Sequence, residues 1–257
     1  MNSEPLILVV NDDGITAKGI RSLVEVAKKF GQVVVVAPDK AQSGMGHAVT
    51  INGIIRVQEQ HIFGEGVKAY SCSGTPADCV KFGISQIIKK KPDLILSGVN
   101  HGNNSATNVL YSGTMSAALE GAMEGITSLG FSLLDYAADA DFSASMHYAE
   151  IIVRNVLNDD KLPENFCLNV NIPKGSIEEI KGIRFGRQAE AFWDDWFEHR
   201  KDPGGKDYYW LTGTFHNHDK GEDTDEYALA NMYVSAVPVQ YDLTAYHTLK
   251  HLQQWPQ

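Results

Sequence analysis

The chain has 257 residues, 43% hydrophobic and 21% charged, an ordinary globular composition that is long enough for one α/β domain with an appendage. Asp and Glu number 32 against 22 Lys and Arg, a formal charge of −10, which argues against a polymeric nucleic acid or an anionic membrane as partner. An anionic small molecule remains compatible where a helix N-terminus or a metal ion offsets the field.

The predicted elements begin with residues 6–10 (LILVV), an apolar strand stopped by Asn11-Asp12-Asp13-Gly14. Residues 17–30 carry apolar groups at Ile20, Leu23, Val24 and Ala27, a helical period, with Gly31 as the expected C-cap. Residues 33–37 (VVVVA) form a second strand ending at Pro38; unbroken β-branched runs of this kind suit strands buried on both faces of a parallel sheet. Thr75-Pro76 predicts a helix start, the hydroxyl as N-cap and Pro at the first position, with the helix running to Lys89–Lys91. A strand follows at residues 94–96, a small-residue helix at 115–124, a strand at 131–134 and an amphipathic helix at 142–157.

From about residue 166 the texture changes to short alternating strands (CLNVNIP, GIRFGRQ, YYWLTGT, MYVSAVPV) and a final helix near residues 243–253. The pattern predicts an α/β fold: a Rossmann-like, doubly wound, mostly parallel sheet with a β-rich C-terminal extension of hairpins and a last helix. Residues 1–165 are read as the catalytic core and 166–257 as the extension, in one continuous structural unit. Cys72, Cys79 and Cys167 make an odd count without a C-x-x-C pair. The start of the chain lacks the basic region of a secretory signal, and a cytoplasmic setting is expected.

In an open α/β sheet, ligands bind beyond the carboxyl ends of the strands. Three polar groups fall there: Asp12-Asp13, Ser43-Gly44 and Asn100. Adjacent carboxylates repel, and a nearby cation is the simplest way to keep both ionised. With a hydroxyl and an amide oxygen they form an all-oxygen set suited to Mg²⁺, Mn²⁺ or Ca²⁺ rather than zinc. The plainer alternative is that Asp12 and Asp13 cap the turn that follows. Ser112-Gly113-Thr114 precedes a helix, where backbone N–H groups and hydroxyls cradle a phosphate or simply cap the helix. Asn100 and Asn104 also suit turns.

These residues resemble the SurE family, the stationary-phase survival proteins, which are metal-dependent 5'/3'-nucleotidases. The likeness rests on Asn11-Asp12-Asp13-Gly14, Ala37-Pro38 with Ser43-Gly44, and Gly74-Thr75-Pro76-Ala77-Asp78-Cys79-Val80. It continues through Ser97-Gly98-Val99-Asn100 with Gly102 and Asn104, and Tyr111-Ser112-Gly113-Thr114. Asn171-Ile172-Pro173, Asp202-Pro203-Gly204, Thr224-Asp225 and Asp242-Leu243-Thr244 extend it over nearly the whole chain. The resemblance implies one divalent metal per subunit (Mg²⁺ or Mn²⁺, with Ca²⁺ as a substitute) held by Asp12, Asp13, Ser43 and Asn100. It implies phosphate contacts at Gly44, Asn104, Ser112, Gly113 and Thr114, nucleoside monophosphates as substrates, and a homodimer or homotetramer built with exchanged arms.

Asp12 or Asp13 is the candidate proton acceptor, and Asn11 and His47 are further candidates beside them. Two departures from the pattern many members share stand out: Gly46-His47 replaces Ser-Asn, and Ala106 replaces Gly. His216-Asn217-His218 presents half a metal site without a third ligand, and the acidic run after it lacks calcium-loop spacing. The aromatic group Phe192, Trp193, Trp196, Phe197, Tyr208, Tyr209 and Trp210 borders a nucleobase site or forms interface and core. Two other readings compete: a phosphatase forming an aspartyl-phosphate, whose D-x-D motif is one position off here, and a nucleotide-binding regulator without turnover.

Overall fold

In the computed structural model, residues 4–255 are described; Met1–Ser3, at the start that was read against a secretory signal, lie outside them, as do Pro256 and Gln257. Strand β1 (Leu6–Val10) is buried along its whole length. Its side chains alternate between two cores. Ile7 and Val9 pack with helix α1 (Lys18–Ala27) and helix α4 (Ser143–Asn158), whereas Leu6, Leu8 and Val10 pack with helices α2 (Pro76–Phe82) and α3 (Gly113–Met123). Helices on both faces explain why the strand is an unbroken apolar run.

Nine strands form the main sheet. Besides β1 they are β2 (Gln32–Pro38), β3 (Val57–Gln60), β4 (Lys68–Cys72), β5 (Leu94–His101), β6 (Ser128–Leu133), β7 (Cys167–Ile172), β8 (Ile183–Phe185) and β11 (Val234–Val239). Their order is β3-β4-β2-β1-β5-β6-β7-β11-β8. The six from β4 to β7 run parallel, β3 and β11 pair antiparallel with their neighbours, and β8 runs parallel to β11. Pro238 of β11 lies beyond the stretch Val234–Ala236 that β8 pairs, so its missing N–H breaks no ladder on that side.

Local predictions and structure differ at several points. Helix α1 ends at Ala27 with Lys28 as C-cap, short of Gly31. Helix α2 starts at Pro76 in a capping box between Thr75 and Asp78. It then widens into a π-helical stretch at Gly83–Ile88 that ends at left-handed Lys89. Three of the four segments expected as an extension of hairpins join the main sheet instead, because β6 and β7 pair directly across residues 128–133 and 167–172. Residues 1–165 and 166–257 therefore share one sheet.

The hairpin is a separate pair, β9 (Ala191–Lys201) with β10 (Asp207–Asn217), in register over all 11 residues of each strand. It projects as an arm whose base is closed by bonds between chain segments. The Arg187 N–H donates to the Asp223 carbonyl at 2.9 Å, and the Asp225 N–H donates to the Arg187 carbonyl at 2.9 Å. Buried Asp225, the first residue of α5 (Asp225–Ala230), accepts from the Ala106 and Ala189 N–H groups at 2.8 and 2.9 Å. Helix α6 (Tyr246–Leu252) has no buried residue. Among the described residues, no helix is long and apolar enough to cross a membrane.

Candidate active site

Strand order turns at β1 and β5: β2 and β4 continue to one side, β6 and β7 to the other. Such a switch point opens a crevice beyond the strand ends. Here a cleft of about 210 Å³ is lined by Asp12, Ser43, Gly44, Asn100, Asn104 and Ser112. Asp13, Gly113 and Thr114 stand beside it without lining it.

Asp12 is only 3% exposed. The Thr114 hydroxyl donates to its Oδ1 at 2.5 Å. A Cβ on Gly113 would stand 2.7 Å from Asp12 Cβ and 2.9 Å from Oδ2, so glycine is what lets the first turn of α3 close onto the carboxylate. Burial pushes the Asp12 carboxyl up to about 6; the Thr114 hydrogen bond opposes this and the Asp13 charge adds to it. Asp13 is raised as well, chiefly by burial, although the His101 N–H donates to its Oδ2 at 3.1 Å. Among the described residues, no Lys, Arg or His forms an ion pair with either carboxylate.

Asn100 is aimed by an irregularity in its strand. The β5–β6 register shifts between Ser97 and Asn100, and Gly98 there has φ +121°. A Cβ on it would lie 2.3 Å from the Phe131 carbonyl oxygen, so the bulge requires glycine. Asn100 Nδ2 donates to the His101 and Gly102 carbonyls at 3.0 and 2.8 Å, which leaves its Oδ1 as the free acceptor. Ser43 sits on an exposed loop tied to the site where the Gln42 N–H donates to the Asp12 carbonyl at 2.8 Å.

Ser112 both lines the cleft and caps α3, accepting from the Met115 N–H at 3.0 Å. Asn104 is held by three bonds. Its N–H donates to Asn171 Oδ1 at 2.7 Å, its Nδ2 donates to Ser132 Oγ at 2.8 Å, and its carbonyl accepts from Asn169 Nδ2 at 2.8 Å. Ala106 has a left-handed φ of 49°.

The two further candidates, Asn11 and His47, also lie off the cleft wall. Asn11 is fully buried and donates through Nδ2 to the Gly14 carbonyl at 2.9 Å, while its Oδ1 has no partner among the described residues. His47 borders a neighbouring cavity of about 610 Å³, where its Nε2 lies 2.9 Å from Glu120 Oε2. His216 and His218 stack on one another away from the cleft, with ring centroids 5.9 Å apart.

Part of the cleft wall had no role assigned from the sequence: His101, Asn103 and Tyr111, which lie within the quoted motifs, and Asn108 and Tyr136, which lie outside them. Tyr136 follows the carboxyl end of β6, so the same strand-end rule would have found it. Trp193 comes from the arm, and its Nε1 donates to Asn108 Oδ1 at 2.8 Å.

Among the described residues, no three His, Cys, Asp and Glu side chains converge. The strand ends instead offer two carboxylates with the neutral oxygens of Ser43 and Asn100. A buried and a half-buried carboxylate, with no cationic side-chain partner among the described residues, fit a hard divalent cation, and the donor set contains nothing that favours a soft one.

A family model described as survival protein SurE matches residues 7–195. The chain is 57% identical over 253 residues to a protein of Flavobacterium psychrophilum named 5'-nucleotidase SurE, with 98% of each chain covered. It is 58% identical over 254 residues to a protein of the same name from Christiangramia forsetii, covering 98% of this chain and 97% of that one. The crystal structure of the SurE protein from Aquifex aeolicus superposes with a TM-score of 0.82 at 40% identity, covering 97% of this chain and 98% of that one. In sequence and in fold, the chain belongs to the SurE family.

Proposed function

We propose that the cleft hydrolyses nucleoside monophosphates as a metal-dependent 5'-nucleotidase, with one Mg²⁺ or Mn²⁺ held by Asp12, Asp13, Ser43 and Asn100. The observation that carries this reading is the burial of Asp12 against the first turn of α3 without a cationic partner. A cation between that carboxylate and a phosphate would satisfy both. When bound there, the metal would supply Lewis acidity toward the phosphoryl oxygens and water.

The chain's own groups do the rest. The first-turn N–H groups of α3 face the anion, adding the partial positive charge of the helix N-terminus. Asn104, pinned through its Nδ2 to Ser132, keeps its side-chain oxygen and its place in the wall. Ser112 and Gly44 complete the phosphate cradle, and the backbone donors need no reorganisation as charge develops on the equatorial oxygens. Asp12 and Asp13 are the groups placed to accept a proton from the attacking water. Trp193 and Tyr136 present exposed rings at the rim, suited to stacking on a base.

Phosphate release from AMP and GMP, and from their 3' isomers, tests the reading when measured with Mn²⁺ or Mg²⁺ and again with EDTA. A rate that EDTA leaves unchanged overturns it. Trapping a phosphorylated Asp12 or Asp13 would replace direct attack by water with a covalent route.

Residues 1–165 act in this reading as the catalytic core and 166–257 as the part that carries the arm. The arm exposes Trp196, Phe197, Tyr209, Trp210 and Leu211 by 50–68%, and α6 buries nothing against its own chain. Both suit a homodimer or homotetramer. A monomeric mass by light scattering at micromolar concentration overturns that assembly. The three cysteines are unpaired and buried, which suits a cytoplasmic setting.

A further inference from the structure

Glu120 lies in the last turn of α3, 2% exposed, and no role described so far uses it. Both of its oxygens are engaged. Lys81 Nζ of α2 donates to Oε1 at 2.6 Å, and His47 Nε2 lies 2.9 Å from Oε2. Burial alone would raise the Glu120 carboxyl, yet these two partners hold it below its ordinary value. An ionised carboxylate only accepts, so Nε2 is the protonated nitrogen of His47 and the donor.

His47 stands at the end of the loop that carries Ser43 and Gly44. Beyond it the chain is firmly moored. Thr75 Oγ1 donates to the Ala48 carbonyl at 2.7 Å, and Thr50 donates to Asp78 through both its N–H and its hydroxyl, at 3.1 and 2.6 Å. Before it the loop is exposed, with left-handed Gly44 and Gly46 and little packing. The Gln42 N–H ties one end of the loop to the Asp12 carbonyl at 2.8 Å, the Gly46 N–H donates to the Tyr111 carbonyl at 3.1 Å, and the His47 side chain adds the loop's side-chain bond to a buried group. Helix α3 therefore touches both halves of the donor set: its first turn holds Asp12 through Thr114, and its last turn holds the Ser43 loop through Glu120 and His47.

We propose that His47 is a positioning residue whose hydrogen bond to Glu120 fixes the Ser43–Gly44 loop on α3 and so sets the spacing between Ser43 and Asp12. This rests on the reading of the cleft as a metal-dependent nucleotidase site. Partners that orient metal ligands from outside typically change affinity by about 10–100-fold when removed.

The test compares wild type with His47→Ala and His47→Gln. Two readouts serve: the Mn²⁺-induced rise in melting temperature, and AMP hydrolysis as a function of Mn²⁺ concentration. Gln can place a donor nitrogen near the reach of Nε2, whereas Ala cannot. The expected result is that His47→Ala needs about tenfold more Mn²⁺ in both readouts while keeping most of kcat at saturation, and that His47→Gln recovers most of the wild-type Mn²⁺ dependence. A wild-type Mn²⁺ dependence in His47→Ala overturns the proposal. An equal loss of kcat in both variants at saturating Mn²⁺ also overturns it, since that marks proton transfer by the imidazole. Failure of the underlying nucleotidase reading looks different, because wild type itself would then show no response to Mn²⁺.

Discussion

The Thr114 hydroxyl donates to Asp12 Oδ1 at 2.5 Å across 102 residues of chain, joining the end of the first strand to the first turn of α3. This contact brings a buried carboxylate and a helix N-terminus to one point, and most of the expected behaviour of the protein follows from it.

Asp12→Asn keeps the shape and the contact with Thr114 but removes the charge. Metal-dependent phosphate release should fall at least about a hundredfold, because charge stabilisation by a bound metal amounts to several kcal/mol. Circular dichroism should be unchanged. A variant within a few-fold of the wild-type rate would show that the carboxylate is not a metal ligand.

The raised Asp12 carboxyl has a consequence for stability without metal. Its ordinary value is 3.8 and its folded value about 6, so between them the folded state binds the extra proton. Its contribution to stability is fully present below pH 3.8 and is lost as pH rises through about 6. The loss is on the order of 3 kcal/mol. Relative to Asp12→Asn, metal-free wild type should lose melting temperature between about pH 4 and 6, and Mn²⁺ should restore it above that range. Parallel pH curves for the two proteins would refute the prediction.

Gly113→Ala places a methyl group 2.7 Å from Asp12 Cβ, in a region where α3 cannot retreat without losing the Thr114 bond. Overpacking of this kind costs about 1–3 kcal/mol. The melting temperature and the hydrolysis rate should fall together, which calorimetry and the phosphate assay on one preparation would check.

Trp193→Ala tests the rim. Stacking of a base on an aromatic ring is worth about 1–3 kcal/mol, so KM for AMP should rise by roughly tenfold or more. Hydrolysis of p-nitrophenyl phosphate, which lacks a base, should change less. Equal effects on both substrates would assign the ring to packing through its bond to Asn108.

Much of this was legible from the sequence because burial on both faces forces long apolar runs that stop abruptly. Strands β1, β2 and β5 announce themselves in this way, and the polar residues at their ends are the cleft. Strand β3 (VQEQ) and strand β4 (KAYSC) pass unread because β3 is an exposed edge and β4 lies beside it, so neither carries a strong pattern. Strand β9 of the arm escapes for a related reason, although part of its partner β10 (YYWLTGT) is read as a strand. Strand β9 is exposed at ten consecutive positions, and without a buried face nothing imposes alternation on AFWDDWFEHRK. Trp193 reaches the cleft only through that arm, and no local signal links it to Asn108.

The arm leaves the main sheet at Arg187 and returns at Asp223, and its two feet are tied together there by backbone bonds and by the Arg187 ion pairs to Asp219 and Asp223. Because that base closes on itself, the sheet does not depend on what lies beyond it. The hairpin behaves as a module that can lengthen, shorten or change its aromatic face while the catalytic frame stays as it is. One stretch of sequence can therefore change what borders the rim while the strand ends keep the cleft residues in place.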